Sequence, residues 1–427
     1  MVWILTDLEG NGSNRVDSFI TGLSSVNFVF AFAMNLFNFT ILYLLSESGI
    51  PVIYGGLGIS AGQAILLFAV LPMGRLIDRG RSYILMATGA VLYATVLILI
   101  FFTSYAGIAV LGAVLAALVA AVLVFQNMFK SSLSSFVAKA VKANIMGRSY
   151  SRIIWMETAG GTLSFFLVYF ASSYVSIRLV YLLIGVILLA VSVSSFTFLT
   201  RENRKALKLD ESRVVRPSFA ESIRALMKRG RFTTSLLSVK VLMSVGVLGF
   251  SYFYLIIGKG LGVSAYLSLL ILGAANAIGI AWGVISERFV SNHPNWGKSY
   301  IIIMALLDVV SYILILASLH NGNVYLFLAA PIIGSPGPFL IPGALAYEVK
   351  VVGKENRGLF SGIQRTLTGI PAIALGAPLT YLFTVNPFYM WSIIVASSLA
   401  TLAFSLAIPS RKYLEEEYGV PESSASQ

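Results

Sequence analysis

Charged side chains are scarce in this chain, and six of them fall inside or at the ends of long apolar segments. They are Lys130, Glu157, Lys240, Asp308, Glu348 and Arg365. A charge in an apolar segment is costly, so each one marks a candidate functional group. A carboxyl such as Glu157 can carry a proton, and the planar fork of an arginine binds a carboxylate or phosphate through two hydrogen bonds. These residue types predict proton transfer and anion binding within a membrane.

The elements that hold these groups are apolar runs long enough to cross a bilayer. Hydrophobic residues make up 57% of the 427 residues and charged residues 11%, with a mean hydropathy of +0.86. Soluble domains carry about 25% charged residues, and a helix of about 20 apolar residues spans the hydrocarbon. The runs are 19–45, 52–73, 83–105, 107–129, 153–177, 179–199, 233–257, 264–286, 300–319, 324–346, 362–384 and 387–408. They predict an all-α membrane protein with twelve transmembrane helices.

The distribution of Lys and Arg predicts the orientation of these helices. Of 30 such residues, 24 fall in loops on one side of the predicted membrane, four lie in spans, and Arg178 and Lys259 lie on the other side. The positive-inside rule places the rich side, with both termini, in the cytoplasm. We therefore expect a multi-pass protein of the cell (plasma) membrane. We attribute the net charge of +12 to orientation and expect no nucleic-acid partner.

A long polar interruption divides the chain into two halves with six runs each. The predicted units are an N-terminal bundle (1–200), a cytoplasmic linker with an amphipathic helix from Ser218 (201–232), a C-terminal bundle (233–409) and a cytoplasmic tail (410–427). A shift of 209 residues carries Gly74 onto Gly283. The same shift aligns Asp78 with Glu287, Arg79 with Arg288, Arg148 with Arg357, and Gly160 with Gly369. Matches at one offset indicate an internal duplication.

The stretch "GRLIDRGRS", which begins at Gly74, resembles the loop 2–3 signature of the major facilitator superfamily, Gly-x-x-x-Asp-Arg-x-Gly-Arg-Lys. One residue is missing after Arg79, and Ser82 replaces the last basic residue. The resemblance implies two pseudo-symmetric six-helix bundles, with a cytoplasmic gate where Asp78 meets the start of helix eleven. The expected gate residues are Gly74, Asp78, Arg79 and Arg81 in the first half, and Gly283, Glu287, Arg288 and Arg357 in the second.

The resemblance also implies which helices line the central cavity, namely one, two, four, five, seven, eight, ten and eleven. Lys130, Glu157, Lys240 and Arg365 would then line it, about 10–14 Å from the cytoplasmic helix ends. Glu157 is the candidate for the coupling proton, unless a neighbouring cation such as Lys130 holds it ionised. Asp308 falls on a supporting helix, where we expect ion pairing or a structural role.

Three cations against one carboxylate favour an anionic solute. The alternatives are lysines that pair internally or extend toward lipid phosphates, which would leave a sugar, a drug or another solute as substrate. Asparagine and glutamine side chains could bind solute hydroxyls or join helices to one another. The candidate substrate-binding residues are Lys130, Arg365, Lys240, Gln126, Asn127, Gln364 and Asn35.

The sequence predicts a secondary active transporter that acts by alternating access, with protons as the coupling ion. We find no catalytic constellation and no nucleotide-binding loop, so we expect neither an enzyme nor an ATP-driven pump. The chain has no cysteine, which excludes thiolate metal sites, and no cofactor is expected. A non-transporting membrane receptor of the same fold stays open. We expect a monomer whose partners are a small-molecule substrate and the lipid bilayer.

Overall fold

The chain folds into helices throughout the part that the computed structural model describes. Those residues are 12–76, 82–103, 108–140, 146–171, 174–206, 230–292, 297–337, 340–341, 344 and 357–408. They contain twelve helices: α1 (Gly12–Glu47), α2 (Ile53–Leu76), α3 (Ser82–Thr103), α4 (Ile108–Ala140), α5 (Met146–Ala171), α6 (Ile177–Ala206), α7 (Gly230–Gly260), α8 (Ala265–Asn292), α9 (Gly297–Asn321), α10 (Val324–Gly334), α11 (Arg357–Val385) and α12 (Pro387–Ala407). Each predicted run corresponds to one helix.

Nine of the described helices are long and apolar enough to cross a membrane: α1, α3, α4, α6, α7, α8, α9, α11 and α12. In α2 and α10 the described apolar stretches are shorter, Ile53–Ala69 and Val324–Gly334. Helix α5 carries the polar sequence "ETAGGT" in its middle, from Glu157 to Thr162, which lowers its hydropathy. Backbone groups of a helix are satisfied within the segment, which is why helices suit the membrane.

The helices pack as two bundles with matching pairings. In the first bundle α3 packs against α4 and α6, while α1 packs against α5 and α6, and α2 packs against α4. In the second bundle α9 packs against α10 and α12, while α7 packs against α11 and α12, and α8 packs against α10. Adding six to each helix number of the first set gives the second set. The two six-helix bundles are therefore related by pseudo-symmetry, as the 209-residue shift predicts.

The bundles touch each other through three helix pairs: α1 with α7, α2 with α11, and α5 with α8. We call the helix ends next to the described connections 48–52, 174–176, 261–264, 322–323 and 386 the short-loop side, and the opposite helix ends the basic side. Near the short-loop side, Lys259 Nζ of α7 donates a hydrogen bond to Ser46 Oγ of α1 at 3.2 Å. Deeper in the same helix pair, the rings of Phe39 and Phe250 meet edge to face, with centroids 6.0 Å apart.

A glycine contact of α2 with α11 near the short-loop side brings the two bundles close together. A methyl group on Gly56 would lie 2.2 Å from Thr380 Oγ1 and 2.8 Å from the carbonyl oxygen of Gly376. One turn further along α2, Ser60 Oγ accepts a hydrogen bond from the backbone N–H of Ala377 at 3.0 Å. Small residues at such a position allow two helix backbones to approach closely. We call this contact the glycine seam.

The glycine seam generates a prediction about conformation. Gly56→Ala should force α2 and α11 apart, because overpacking at a tight contact costs about 1–3 kcal/mol. Each 1.4 kcal/mol changes an equilibrium about tenfold, so the population should shift toward a state that is open on the short-loop side. Spin labels on cysteines at Tyr174 and Tyr325, which are 89% and 82% exposed on that side of the two bundles, should report a longer distance.

The matched control is Gly260→Ala, since a methyl group on Gly260 at the end of α7 would meet no atom within 4 Å. This control should leave the label distance unchanged. An unchanged distance in Gly56→Ala would contradict the role of the glycine seam.

Candidate substrate and coupling site between the bundles

The structure brings together two of the predicted site residues, Lys130 of α4 and Glu157 of α5. Lys130 Nζ donates a hydrogen bond to Glu157 Oε1 at 2.6 Å, and the two charges form an ion pair. Their side chains are 36% and 31% exposed, so the pair is partly accessible. This favours the alternative in which Lys130 pairs internally, and it removes Lys130 from the excess of positive charge.

A second cluster of polar groups joins the two bundles through Asn38 of α1. Gln126 Nε2 of α4 donates to Asn38 Oδ1 at 3.4 Å and to the hydroxyl oxygen of Tyr93 at 3.3 Å. From the other bundle, the Tyr252 hydroxyl of α7 donates to the same Asn38 Oδ1 at 3.5 Å. These distances lie at the long end for hydrogen bonds. The predicted substrate residue Gln126 is buried and has protein partners in this state.

Two further predicted residues, Asn35 of α1 and Asn127 of α4, bond to their own helices. Asn35 Nδ2 donates to the carbonyl oxygen of Ala31 at 3.0 Å, and Asn127 Nδ2 donates to that of Leu123 at 3.1 Å. Each side chain is only partly buried. An amide has two donor hydrogens and one acceptor oxygen, so each retains capacity for a further hydrogen bond.

Asn276 of α8 lies opposite Asn35 and was not predicted from the sequence. A methyl group on Gly161 of α5 would lie 2.7 Å from Asn35 Nδ2 and 3.6 Å from Asn276 Nδ2. The two amide nitrogens are therefore no more than about 6.3 Å apart. A small solute could bond to both, since each bond spans about 3 Å. The signal in the sequence is a lone amide in the apolar run of α8.

The remaining cationic candidates belong to α7 and α11, at a common level. Ser244 Oγ of α7 lies 3.3 Å from the carbonyl oxygen of Thr368 in α11, and its shorter hydrogen bond goes to the carbonyl oxygen of Val241 at 2.6 Å. Lys240 and Gln364 each lie one turn before this contact on helices that run in the same direction, and both side chains are partly exposed. Arg365 follows Gln364 on α11, and its side chain is outside the described part of the structure.

The predicted ionisable residues lie toward the basic side of their helices. At 1.5 Å per residue, Lys130, Glu157, Lys240 and Arg365 lie about 12–17 Å from the basic-side ends of α4, α5, α7 and α11. These distances exceed the predicted 10–14 Å because the helices extend further on the basic side than the apolar runs do. Lys130 lies within the apolar span Val110–Leu133, close to its basic-side end, and Arg365 lies two residues before the span Leu367–Val385.

The predicted gate lies mostly outside the described residues. Gly74 belongs to α2, Gly283, Glu287 and Arg288 belong to α8, and Arg357 begins α11, but nothing is described of their side chains. Asp78, Arg79 and Arg81 are outside the described part of the chain, as is the linker helix from Ser218. The gate and the amphipathic helix stay predictions. No group of three or more potential metal ligands occurs among the described His, Asp and Glu residues.

Comparison with known proteins identifies the family. A sequence model of the Major Facilitator Superfamily matches residues 23–377, so the chain belongs to this superfamily of membrane transporters. It is a multi-pass membrane protein with the fold of secondary transporters. No curated protein sequence matched the chain significantly.

Solved structures share this fold at low sequence identity. The xylose transporter XylE from E. coli, in a partially occluded inward-open conformation, has a TM-score of 0.67 and 14% identity, over 93% of this chain and 98% of that one. The nucleoside transporter NupG has a TM-score of 0.66 and 12% identity, over 91% and 100%. A POT family transporter in complex with a conjugated peptide has a TM-score of 0.64 and 14% identity, over 91% and 95%. At these identities the likeness shows the fold alone.

The Lys130–Glu157 pair generates a prediction about stability. Lys130→Gln should destabilise the protein by about 1 kcal/mol, between the values for exposed and buried pairs, because it leaves Glu157 without its counter-charge. The double variant Lys130→Gln/Glu157→Gln should recover most of that loss. The coupling energy between Lys130 and Glu157 is measured by thermal unfolding in detergent. The proteins compared are the native protein, both single variants and the double variant. Additive effects of the two single changes would contradict the ion pair.

Proposed function

We propose that this protein is a secondary active transporter of a small hydrophilic solute, which binds between the bundles through hydrogen bonds. The observation that carries the proposal is the approach of Asn35 and Asn276 from opposite bundles to within about 6.3 Å of each other, beside Gly161. Amide groups both donate and accept hydrogen bonds, so they suit solutes with hydroxyl or amide groups. Groups from both bundles can hold a solute while the bundles rock around it.

Proton coupling is the second element of the proposal. The Lys130–Glu157 pair is neutral as a unit, so we assign it to joining α4 and α5 and not to carrying the coupling proton. A carboxyl without a counter-charge is needed for that role. We further propose that the basic side faces the cytoplasm of a cell whose plasma membrane holds the protein, because positively charged loops stay on that side.

An anionic solute is the second candidate, and it depends on α11 and α7. Gln364 is partly exposed, and Lys240 lies at the same level across the Ser244–Thr368 contact. Arg365 is adjacent in sequence to Gln364, and its guanidinium could bind a carboxylate bidentately. The ion pair of Lys130 with Glu157 weakens this candidate, because it removes one of the three cations on which the sequence prediction relied.

Counterflow in proteoliposomes would separate the two candidates. With neutral polyhydroxy solutes as probes, Asn276→Ala and Asn35→Ala should each raise the apparent KM by about tenfold, the value of one lost hydrogen bond near 1.4 kcal/mol. Arg365→Ala should change that KM little. With monocarboxylates as probes, the anion candidate predicts that Arg365→Ala raises the apparent KM and that the two asparagine variants change it little. Arg365→Lys should also raise the KM, because lysine lacks the planar fork of donors that arginine has.

The matched control is Asn321→Ala, which removes an exposed amide at the short-loop end of α9. It should behave as the native protein with every probe. The hydrogen-bonding candidate fails if Asn276→Ala and Asn35→Ala carry neutral solutes with native kinetics. The transport proposal as a whole fails if the native protein exchanges none of the neutral or anionic probes.

A further inference from the structure

Asp308 lies at the centre of the protein-facing side of α9, near the middle of that helix. The residues of this side follow a four-and-three spacing: Ile301, Ala305, Asp308, Tyr312 and Ile315. All of them are buried except Asp308, which is partly accessible. The opposite side of α9 exposes Ile303, Leu306, Val310 and Ile313. Asp308 therefore lies on the side of α9 that faces the bundle and not on the side that faces lipid.

Asp308 has no hydrogen-bond or ion-pair partner among the described residues. The helices α10 and α12 that pack against α9 carry no Lys, Arg, His, Asp or Glu. Their tyrosines, Tyr325 and Tyr389, are exposed near the short-loop side. The carboxyl is about 17 Å from the basic-side end of α9 at 1.5 Å per residue.

The third neighbour of α9 is α7, whose ionisable groups are Arg231, Lys240, Tyr252, Tyr254 and Lys259. Arg231 and Lys259 belong to the two ends of that helix. Lys240 is the cation of α7 nearest in depth, and within the described residues it does not come within the 4.0 Å ion-pair distance of Asp308. On α9 itself the other ionisable groups are Lys298, Tyr300, Tyr312 and His320. Among the described residues, Asp308 therefore has no close counter-charge.

An ionised carboxyl at mid-membrane depth without a counter-charge is costly, whereas the neutral acid is much less so. Transfer of a proton to this group requires a path for water through the C-terminal bundle. We propose that Asp308 is the coupling proton site of this transporter, inside the C-terminal bundle and separate from the Lys130–Glu157 pair. The carboxylate takes a proton from water on one side of the membrane and returns it to water on the other, with no other bond changed. This inference rests on the proposed transport function.

A chain of packed rings connects this site to the contact between the bundles. Tyr312 lies one turn after Asp308, and its ring packs against α7, with its centroid 6.2 Å from that of Phe250. Phe250 in turn meets Phe39 of the other bundle at 6.0 Å. A change in charge at Asp308 would act on the helical turn that holds Tyr312. Through the rings of Tyr312 and Phe250 it would also act on the contact between α1 and α7. The rings are a physical connection whose coupling the following variants measure.

The test uses full-length protein in proteoliposomes and any probe solute that the native protein exchanges. Asp308→Asn keeps the shape of the side chain and removes its proton. Accumulation driven by a pH gradient should fall at least tenfold, whereas solute counterflow, which needs no net proton transfer, should persist. Asp308→Glu should retain part of the driven accumulation. The matched control is Glu47→Gln, which changes an exposed carboxyl at the short-loop end of α1 and should accumulate solute as the native protein does.

The proposal is overturned if Asp308→Asn accumulates solute as strongly as the native protein. It is also overturned if accumulation by the native protein depends on a sodium gradient and not on the pH gradient. If Asp308→Asn loses counterflow as well, infrared difference spectra between high and low pH decide the matter. A carboxylic acid band that forms on acidification of the native protein and disappears in the Asn variant supports the site, and its persistence overturns it. Absence of exchange by the native protein is a failure of the transport function itself.

Discussion

The close approach of α2 and α11 at the glycine seam is the constraint on which the rest of this structure depends. Gly56 leaves no room for a side chain between the two backbones, whereas a methyl group on Gly376 would mainly meet the Ser60 hydroxyl, at 2.6 Å. The backbone N–H of Ala377 donates a hydrogen bond to that hydroxyl. The seam holds the bundles together near the short-loop side. In a bilayer, where apolar side chains gain little from leaving lipid, such tight packing and interhelical hydrogen bonding are what hold helices together. A contact of this kind can also separate without exposing a large apolar core to water.

The ionisable groups at mid-depth are in two different situations. Lys130 and Glu157 neutralise each other within the N-terminal bundle, at a distance of 2.6 Å. Asp308 in the C-terminal bundle has no such partner among the described residues. An ion pair can remain charged through a conformational cycle, whereas a lone carboxyl is most easily buried as the neutral acid. This contrast is why we assign the coupling proton to Asp308, although the sequence alone favoured Glu157.

The sequence predicts the helices well because hydropathy reports burial in lipid directly. It predicts their ends less well: the run 107–129 underlies a helix that extends to Ala140, and the run 179–199 one that extends to Ala206. These extensions carry polar residues, and a helix does not have to stop where the hydrocarbon does. The pseudo-symmetry was also predictable, because Gly74 and Gly283 keep one offset with four other pairs.

The contacts between bundles were not predictable from one sequence. The runs of α2 and α11 each contain several glycines, and nothing in the pattern shows that Gly56 faces Gly376. Asn276 was missed because a lone amide in an apolar run is more often a bond between helices than a binding group. To place Asp308, one must know which side of α9 faces the bundle. The spacing of apolar residues does not show this side, because α9 is hydrophobic all round.

The most direct test of alternating access about the glycine seam is a reversible cross-link across it. A methyl carbon on Gly376 would lie 2.6 Å from Ser60 Oγ, so the two Cβ atoms are within about 4 Å, which is the spacing of a disulfide. The chain has no cysteine, so the double variant Ser60→Cys/Gly376→Cys has no background. The account predicts that oxidation abolishes solute counterflow and that a reductant restores it at least tenfold. Undiminished counterflow by the fully cross-linked protein would contradict it.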